Sequence, residues 1–576
     1  MDKVKLDISG KTSPETATSH SYKPIPEQDM EDRALSRPKS LVKPSKDIAT
    51  DGADEKMLPA DEKVPEVVVF NDLKSPQNGD AKLDIAEAKQ AFVGLSKEEL
   101  MKYANDPFWI RLRWFLFITF WVLWVAMLIG AIFIIYAAPK CDPPLPRTWY
   151  QEGPLIEVSD NLKVEELKLD ENIQGVIVPW TMDPYESLEN NMNDLNRIKA
   201  IQKLNKKVIV ELNPSASDKW FGKSENRDPE FDGYYIWRPG KIRGTDSSLS
   251  EPNNWISPNN VSSWKYSDIR REYYYSPFNK PHLNFKNSSV IKEFSKVIER
   301  FLDYKVAGIR LRNAAFLLVD SSFEDQEIDQ TANPELSLNQ YGFFMHSKTE
   351  SLPDLGGLLN EWRRVIRNKT ENGPLMVAEE LGKVDSYRVD NNLVVDMPLQ
   401  SYIFSKPTLS VNETAHSLNY TFNINGIEWP LWQAKTNAIP RDVLNIIIYL
   451  LPGAPLINAT EEVLPILRKI RESPSIMRGI CGVYSLLNNT VLSFIRVTPG
   501  SPGILVVVNP SDTTKVVNIP AEIPPLANLQ EVTIRHYSSN YNDSDFSDLG
   551  AKKSATAIPL TAKSGMVLEY VPKRGE

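Results

Sequence analysis

From Trp114 to Ala138 the chain reads WFLFITFWVLWVAMLIGAIFIIYAA without one charged side chain. About 20 apolar residues in a helix cross a bilayer, so this run predicts a single transmembrane helix over 114–138. A cleaved signal peptide fits less well, because the run begins late and lacks a small-residue cleavage site after it. Residues 1–90 carry Lys, Asp, Glu, Ser and Pro with scattered apolar positions. Such a composition buries too little apolar surface to order itself, and a disordered cytosolic tail is expected. A juxtamembrane amphipathic segment over 91–113 follows, opened by the capping-box pair Ser96 and Glu99. Beyond the run, 139–148 form a proline-rich neck containing Cys141.

The pattern then changes to short β-rich apolar runs separated by amphipathic helices. The runs are GVIVPW (175–180), KKVIVEL (206–212), AGIRLR (307–312), PLMVAEE (374–380), LVVDMPL (393–399) and APLINA (454–459). Helical periodicity appears between them in VIKEFSKVIERFLDY and LGGLLNEWRRVIRN. Strand and helix alternating on this scale predict a (β/α)8 TIM barrel over 149–475. One connection, about 213–287, is long, aromatic and polar, and reads as a subdomain inserted after the third strand. From 476 to 576 closely spaced strands without helices (CGVYSLL, TVLSFIRV, GILVVVN, KVVNIP, EVTIRHY, MVLEYV) predict a C-terminal antiparallel β-sandwich.

A net charge of −9 and the absence of a basic stripe with interleaved aromatics argue against nucleic acid. Five histidines without ligand spacing make no metal site, and no cofactor motif is present. Charge does orient the apolar helix: Lys97, Lys102, Arg111 and Arg113 precede it, against Lys140 and Arg147 after it. The N-terminus is expected inside. Asn260, Asn287, Asn368, Asn412, Asn419, Asn458, Asn488 and Asn542 each open an Asn-x-Ser/Thr triplet, and all follow the helix. Both signs describe a type II single-span protein with a glycosylated ectodomain. Within the helix, Ala126 and Gly130 with Trp121 and Trp124 offer a face for a second membrane helix, or one that meets lipid. The two cysteines, Cys141 and Cys481, allow one bond within the chain, a bond to another chain, or free thiols.

The segments DGYYIW, PNNWIS, SSWKYSDIRREYYYSPF and PHLNFKN resemble the inserted region of the oligosaccharide glucosidases, in the α-amylase and α-glucosidase clan. GIRLRNA resembles the clan's fourth-strand nucleophile motif, LMVAEE its fifth-strand acid motif and LPGAPLINATEEV its eighth-strand segment. The resemblance implies two carboxylates facing each other across about 5 Å, one attacking and one donating a proton. Arg310 and Glu379 match the motifs, but Arg312 stands where the aspartate nucleophile belongs. A guanidinium stays protonated and cannot attack. Ser215 and Ala216 replace an Asn-His pair, and Ile427 and Glu428 stand where His-Asp is expected. Arg310 with Glu379 reads as an ion pair at the barrel mouth or a remnant of chemistry. Glu211 reads as a Glu-for-Asp replacement or a solvated strand end.

GLSKEEL, RWFLF, GAIFII, APKC and WYQEGPLIEV around the span resemble the heavy subunits of the heteromeric amino-acid transporters, especially the four-F-two antigen branch. This implies a plasma-membrane, non-catalytic heavy subunit. Cys141 would bond to a multi-span light subunit whose assembly, surface trafficking and stability it supports. One helix without an ionisable residue lines no substrate path, so transport itself would belong to the partner. The alternatives are a membrane-anchored α-glucosidase or maltase, and an adhesion or signalling protein with integrin-like surface partners.

Overall fold

The computed structural model describes residues 97–137, 146–159, 173–243, 248–436, 438–459 and 464–572. The tail expected over 1–90, Ser96 of the capping box and Cys141 lie outside these residues. The described chain divides into two compact units at Pro139/Lys140.

The first unit holds α1 (Lys97–Ala104) and α2 (Pro107–Ala137). Asp106 ends the break between them, its Oδ1 accepting from the Phe108 amide at 3.1 Å. Pro107 follows at the first helical turn, where its missing N–H costs no bond. The helix therefore starts well before Trp114, the expected boundary, because this cap lies on the near side of Arg111 and Arg113. At 31 residues and a mean hydropathy of 2.6 over its most apolar stretch, α2 is long and apolar enough to cross a membrane. None of its side chains is buried in the protein.

The second unit is built on eight parallel strands: β1 (Leu155–Glu157), β2 (Gly175–Pro179), β3 (Lys207–Leu212), β4 (Gly308–Leu311), β5 (Leu375–Val377), β6 (Leu399–Gln400), β7 (Leu431–Trp432) and β8 (Ala454–Asn458). They are ordered β5-β4-β3-β2-β1-β8-β7-β6. At the remaining seam the Asp396 amide donates to the Leu375 carbonyl at 2.8 Å, so the barrel is nearly closed. Strand residues alternate between its two sides. Leu155, Ile177, Ile209, Met376, Leu399, Leu431 and Leu456 fill the interior. Val176, Val178, Val208, Val210, Ile309 and Leu311 pack outward.

Helices Met192–Lys203 (α3), Ser288–Asp303 (α4), Leu355–Lys369 (α5), Val411–Asn419 (α6), Arg441–Leu450 (α7) and Pro465–Arg471 (α8) belong to this unit. Helix α4 buries Val290, Phe294, Val297, Ile298 and Phe301 at helical spacing, and Asn287 caps it by accepting from the Ser289 amide. Phe294 meets fully buried Trp362 of α5 edge-on at 4.6 Å between centroids. Between β3 and α4 lies a small three-stranded sheet of Trp237–Arg238, Glu272–Tyr275 and Trp264–Ser267. It packs on Val319 and Phe323 of the β4–α5 loop through Trp255 and Trp264.

The C-terminal strands are β9 (Ile480–Leu486), β10 (Val491–Val497), β11 (Gly503–Asn509), β12 (Lys515–Val517), β13 (Glu531–Tyr537), β14 (Lys552–Ser554), β15 (Ile558–Leu560) and β16 (Ser564–Tyr570). An antiparallel sheet ordered β9-β10-β11-β16-β13-β14 stands with the pair β12-β15. The larger sheet is buried on both faces. Phe494, Ile504, Val506 and Val508 join the core around the barrel, whereas Ile495, Leu505 and Val507 face a second apolar cluster.

The run LVVDMPL departs from expectation, since its strand begins only at Leu399. Val394, Val395 and Met397 are buried in the approach to the strand instead, where Asp396 is tied to Arg363 at 2.6 Å.

Candidate functional site

Polar residues begin where the interior-facing register reaches the C-terminal ends of β1, β3 and β4. Glu157 lies two residues beyond Leu155, Glu211 two beyond Ile209, and Arg310 two beyond Gly308. Catalytic groups of TIM barrels are carried on this end. Arg310 is 2% exposed and bonds Glu157 Oε1 at 2.6 Å, Glu211 Oε2 at 3.3 Å and the Ala378 carbonyl at 3.2 Å. Arg312 reaches Glu211 Oε1 through Nε at 2.9 Å and also through Nη2. Gln433, just past β7, donates to Glu157 Oε2 at 2.8 Å. Both oxygens of Glu211 and both of Glu157 are thereby engaged.

Glu379 stands apart from this chain of pairs. The expected Arg310–Glu379 ion pair is replaced by pairs with Glu157 and Glu211, which lie nearer the guanidinium. Glu379 Oε1 accepts from the Asn313 amide at 2.8 Å, and its buried Oε2 has no hydrogen-bond partner among the described residues. Asn313 presents that amide from a left-handed conformation, φ 57°, which asparagine tolerates well. Burial raises the Glu379 carboxyl above the usual range, the Asn313 bond opposes this, and the Glu211 charge raises it further. A buried acid of raised pKa is the form a proton donor takes. The side chain following β4, Arg312, is a cation and 48% exposed.

Glu211 is 6% exposed, so its reading as an ordinary solvated strand end is set aside. Glu428 lies before β7 and is exposed, on the side of the strand away from the mouth. The seventh-strand position therefore passes to Gln433, because a barrel strand points its C-terminal end, rather than its start, at the site. Glu157 and Gln433 escaped the sequence reading since their strands are only three and two residues long. Ser215 is fully buried, and Ala216 forms a β-bridge with His282. Burial lowers the His282 pKa to about 4.

Cys481, on β9, is half-buried, packing against the core around the barrel and lining a groove beside the strand. Burial pushes its thiol up to about 11, leaving little thiolate at neutral pH. Among the sequons, Asn260, Asn368, Asn412, Asn419, Asn458, Asn488 and Asn542 are exposed, and Asn287 is half-buried. On α2, Trp121 and Ala126 line one shallow apolar concavity with Phe117, Val122 and Ile129; Trp124 and Gly130 are outside it. Trp121 also meets Trp124 edge-on at 5.5 Å.

Residues 80–156 match the family model "Solute carrier family 3 member 2 N-terminus", and residues 185–462 match the α-amylase catalytic domain. The human amino acid transporter heavy chain SLC3A1 is 26% identical over 436 residues, covering 65% of this chain and 62% of its own length. The chain thus spans somewhat less than two thirds of that relative. Maltase 1 of Drosophila virilis is 31% identical over 174 residues, 29% of this chain and 27% of the maltase. In fold, the α-glucosyl transfer enzyme XgtA superposes with a TM-score of 0.57 at 15% identity, over 74% of this chain and all of its own. An N-terminal segment of the solute-carrier type joined to an amylase-type barrel makes this chain a relative of the amino-acid transporter heavy subunits, themselves akin to the α-amylase family.

Proposed function

We propose that the chain is a non-catalytic heavy subunit that anchors, assembles and stabilises a multi-span amino-acid permease. The observation that carries this reading is the barrel mouth itself. Arg312 occupies the end of β4 and is paired to Glu211, while Arg310 and Gln433 engage Glu157. Retaining hydrolysis needs a free carboxylate opposite the acid. Glu379 therefore has no nucleophile to work with.

In the same reading α2 spans the plasma membrane with its N-terminus in the cytosol, and the sequon-bearing unit is extracellular and glycosylated. Cys141, in an oxidising compartment, is the covalent link to the permease. The inert environment of Cys481 supports giving that role to Cys141. Contacts made by α2 and by the extracellular unit supplement the bond, so its loss weakens association without abolishing it.

The test is a non-reducing gel of surface-labelled protein. A larger adduct should collapse on reduction and vanish in Cys141→Ser, with the permease still recovered in mild detergent. Persistence of the adduct in that variant would sink the disulfide assignment. Maltose hydrolysis by the purified chain, abolished in Glu379→Gln, would instead establish the membrane-anchored glucosidase.

A further inference from the structure

The antiparallel sheet ends in two unlike edges. On one side β14 is three residues long and carries Lys552 and Lys553. Short, lysine-bearing edges resist pairing with another sheet. On the other side β9 is seven residues long, reads ICGVYSL, and among the described residues is bonded only to β10. Ile480 at its start is 73% exposed. Beside it opens an apolar groove of about 480 Å³, lined by Ile480, Tyr484, Ile495, Val497, Leu526 and Tyr570. A long apolar edge of this kind is a template for a second chain, and folded proteins cover such edges.

Three sequons lie on elements adjoining that strand. Helix α6 packs against β9, burying Val411, Thr414, Ala415 and Leu418. Asn412 and Asn419 lie seven residues apart on its exposed side, two turns and about 10 Å along one face. Asn488 sits at the tip of the β9–β10 hairpin, where Leu487, Asn488 and Asn489 all have positive φ, at 48°, 54° and 64°. Asn412, Asn419 and Asn488 are exposed. Asn287 differs, being half-buried, and its Nδ2 donates to the Gly233 carbonyl at 3.1 Å.

We propose that N-linked glycans on Asn412, Asn419 and Asn488 cover the edge strand Ile480–Leu486 and keep it from pairing with a second copy of the chain. This rests on the extracellular placement of the second unit proposed above. At each site the asparagine Nδ2 attacks C1 of an oligosaccharide carried on a polyisoprenyl diphosphate. The N–C1 bond forms, the C1–O bond to the diphosphate breaks, the lipid diphosphate leaves, and the amide loses one proton. Edge pairing requires two backbones to approach within about 4.8 Å. Branched oligosaccharides rooted on the helix packed against the strand and on the hairpin tip at its end exclude that approach.

The test uses the full chain expressed in glycosylating cells as two differently tagged copies. Asn412→Gln, Asn419→Gln and Asn488→Gln should each remove one mobility step that peptide-N-glycosidase also removes. The triple variant should raise cross-linked capture of the second tagged copy about threefold or more, as expected of an uncovered edge. Asn260→Gln/Asn368→Gln/Asn542→Gln, on other parts of the unit, should stay at the wild-type level. Adding Ile480→Lys to the first triple variant should return capture to baseline or, should that variant be retained inside the cell, restore its recovery. Failure of this rescue overturns the proposal. So does an unmodified Asn412, Asn419 and Asn488 beside modified sequons elsewhere, which leaves the orientation standing. A chain with no glycosidase-sensitive sequon at all overturns the orientation together with the proposal.

Discussion

At the scale of single residues, the barrel mouth is governed by which carboxylates have cations and which one does not. Glu157 and Glu211 are tied to Arg310, and Arg312 adds a second cation at Glu211. Glu379 is left with one backbone donor, and burial raises its pKa. A raised folded-state pKa means that the folded chain holds the proton more tightly than the unfolded one. The ionised carboxylate therefore costs stability at neutral pH, and the cost disappears as pH falls through the raised value. Glu379→Gln keeps the acceptor for the Asn313 amide and removes the titration. Its thermal midpoint should exceed wild type at neutral pH, with the gap closing toward acid. A variant less stable than wild type at neutral pH would contradict this account. Arg310 was legible in the sequence because the four residues Gly308–Leu311 fix its register, and Glu379 because it stands in LMVAEE. Their actual partners were not, because an ion pair across the barrel depends on which inward-facing positions the strands bring level.

Among the elements, the start of the second unit is fastened to the N-terminal ends of the barrel strands by two arginines, Arg471 buried and Arg147 half-buried. Arg471 on α8 donates to the carbonyls of Glu152 at 2.7 Å, Tyr449 at 2.8 Å and Gln151 at 3.1 Å, and also to that of Gly453. Burial lowers its pKa to about 9, which still leaves it charged at neutral pH. Arg147 stacks over the Trp429 ring at 3.9 Å and donates to the Met477 carbonyl at 3.1 Å. A planar fork of five donors satisfies several carbonyls at once, which an ammonium cannot. Arg471→Lys should therefore destabilise the unit by about 2–4 kcal/mol, through carbonyls left unsatisfied in the interior. A denaturant midpoint equal to wild type would refute it. Helices α4 and α5 were legible from their apolar spacing. Strands β1 and β7 were too short to produce a recognisable run, and Glu157 and Gln433 were missed along with them.

For the whole molecule, three histidines have lowered pKa values because they are buried: His282, to about 4, His346 and His536. Each ordinarily titrates near 6.5. Below that value the unfolded chain takes up protons that the folded chain resists, so the contribution of these histidines is complete above about pH 6.5 and is lost toward pH 4. The thermal midpoint should fall across that window, and His282→Gln should flatten the fall. A slope parallel to wild type in the variant would remove His282 from the explanation. The C-terminal sheet shows how far this unit acts as one body. Its faces were readable as alternating apolar strands, yet one of those faces completes the core around the barrel.

The sequence by itself determined the elements that local pattern controls: the uncharged helix, the amphipathic α4 and α5, the β-rich runs, and the arginine at the fourth strand's end. Each depends on spacing within a short stretch of chain, where periodicity of 3.6 or 2 states which side is buried. Only the tertiary structure decided that Glu211 is enclosed between two arginines, that Gln433 rather than Glu428 meets Glu157, and that β9 is left as an edge. These are matters of which distant strands become neighbours and in what register. That choice is made by closing the barrel and stacking the sheet on it, where residues 276 positions apart in sequence come within hydrogen-bond reach.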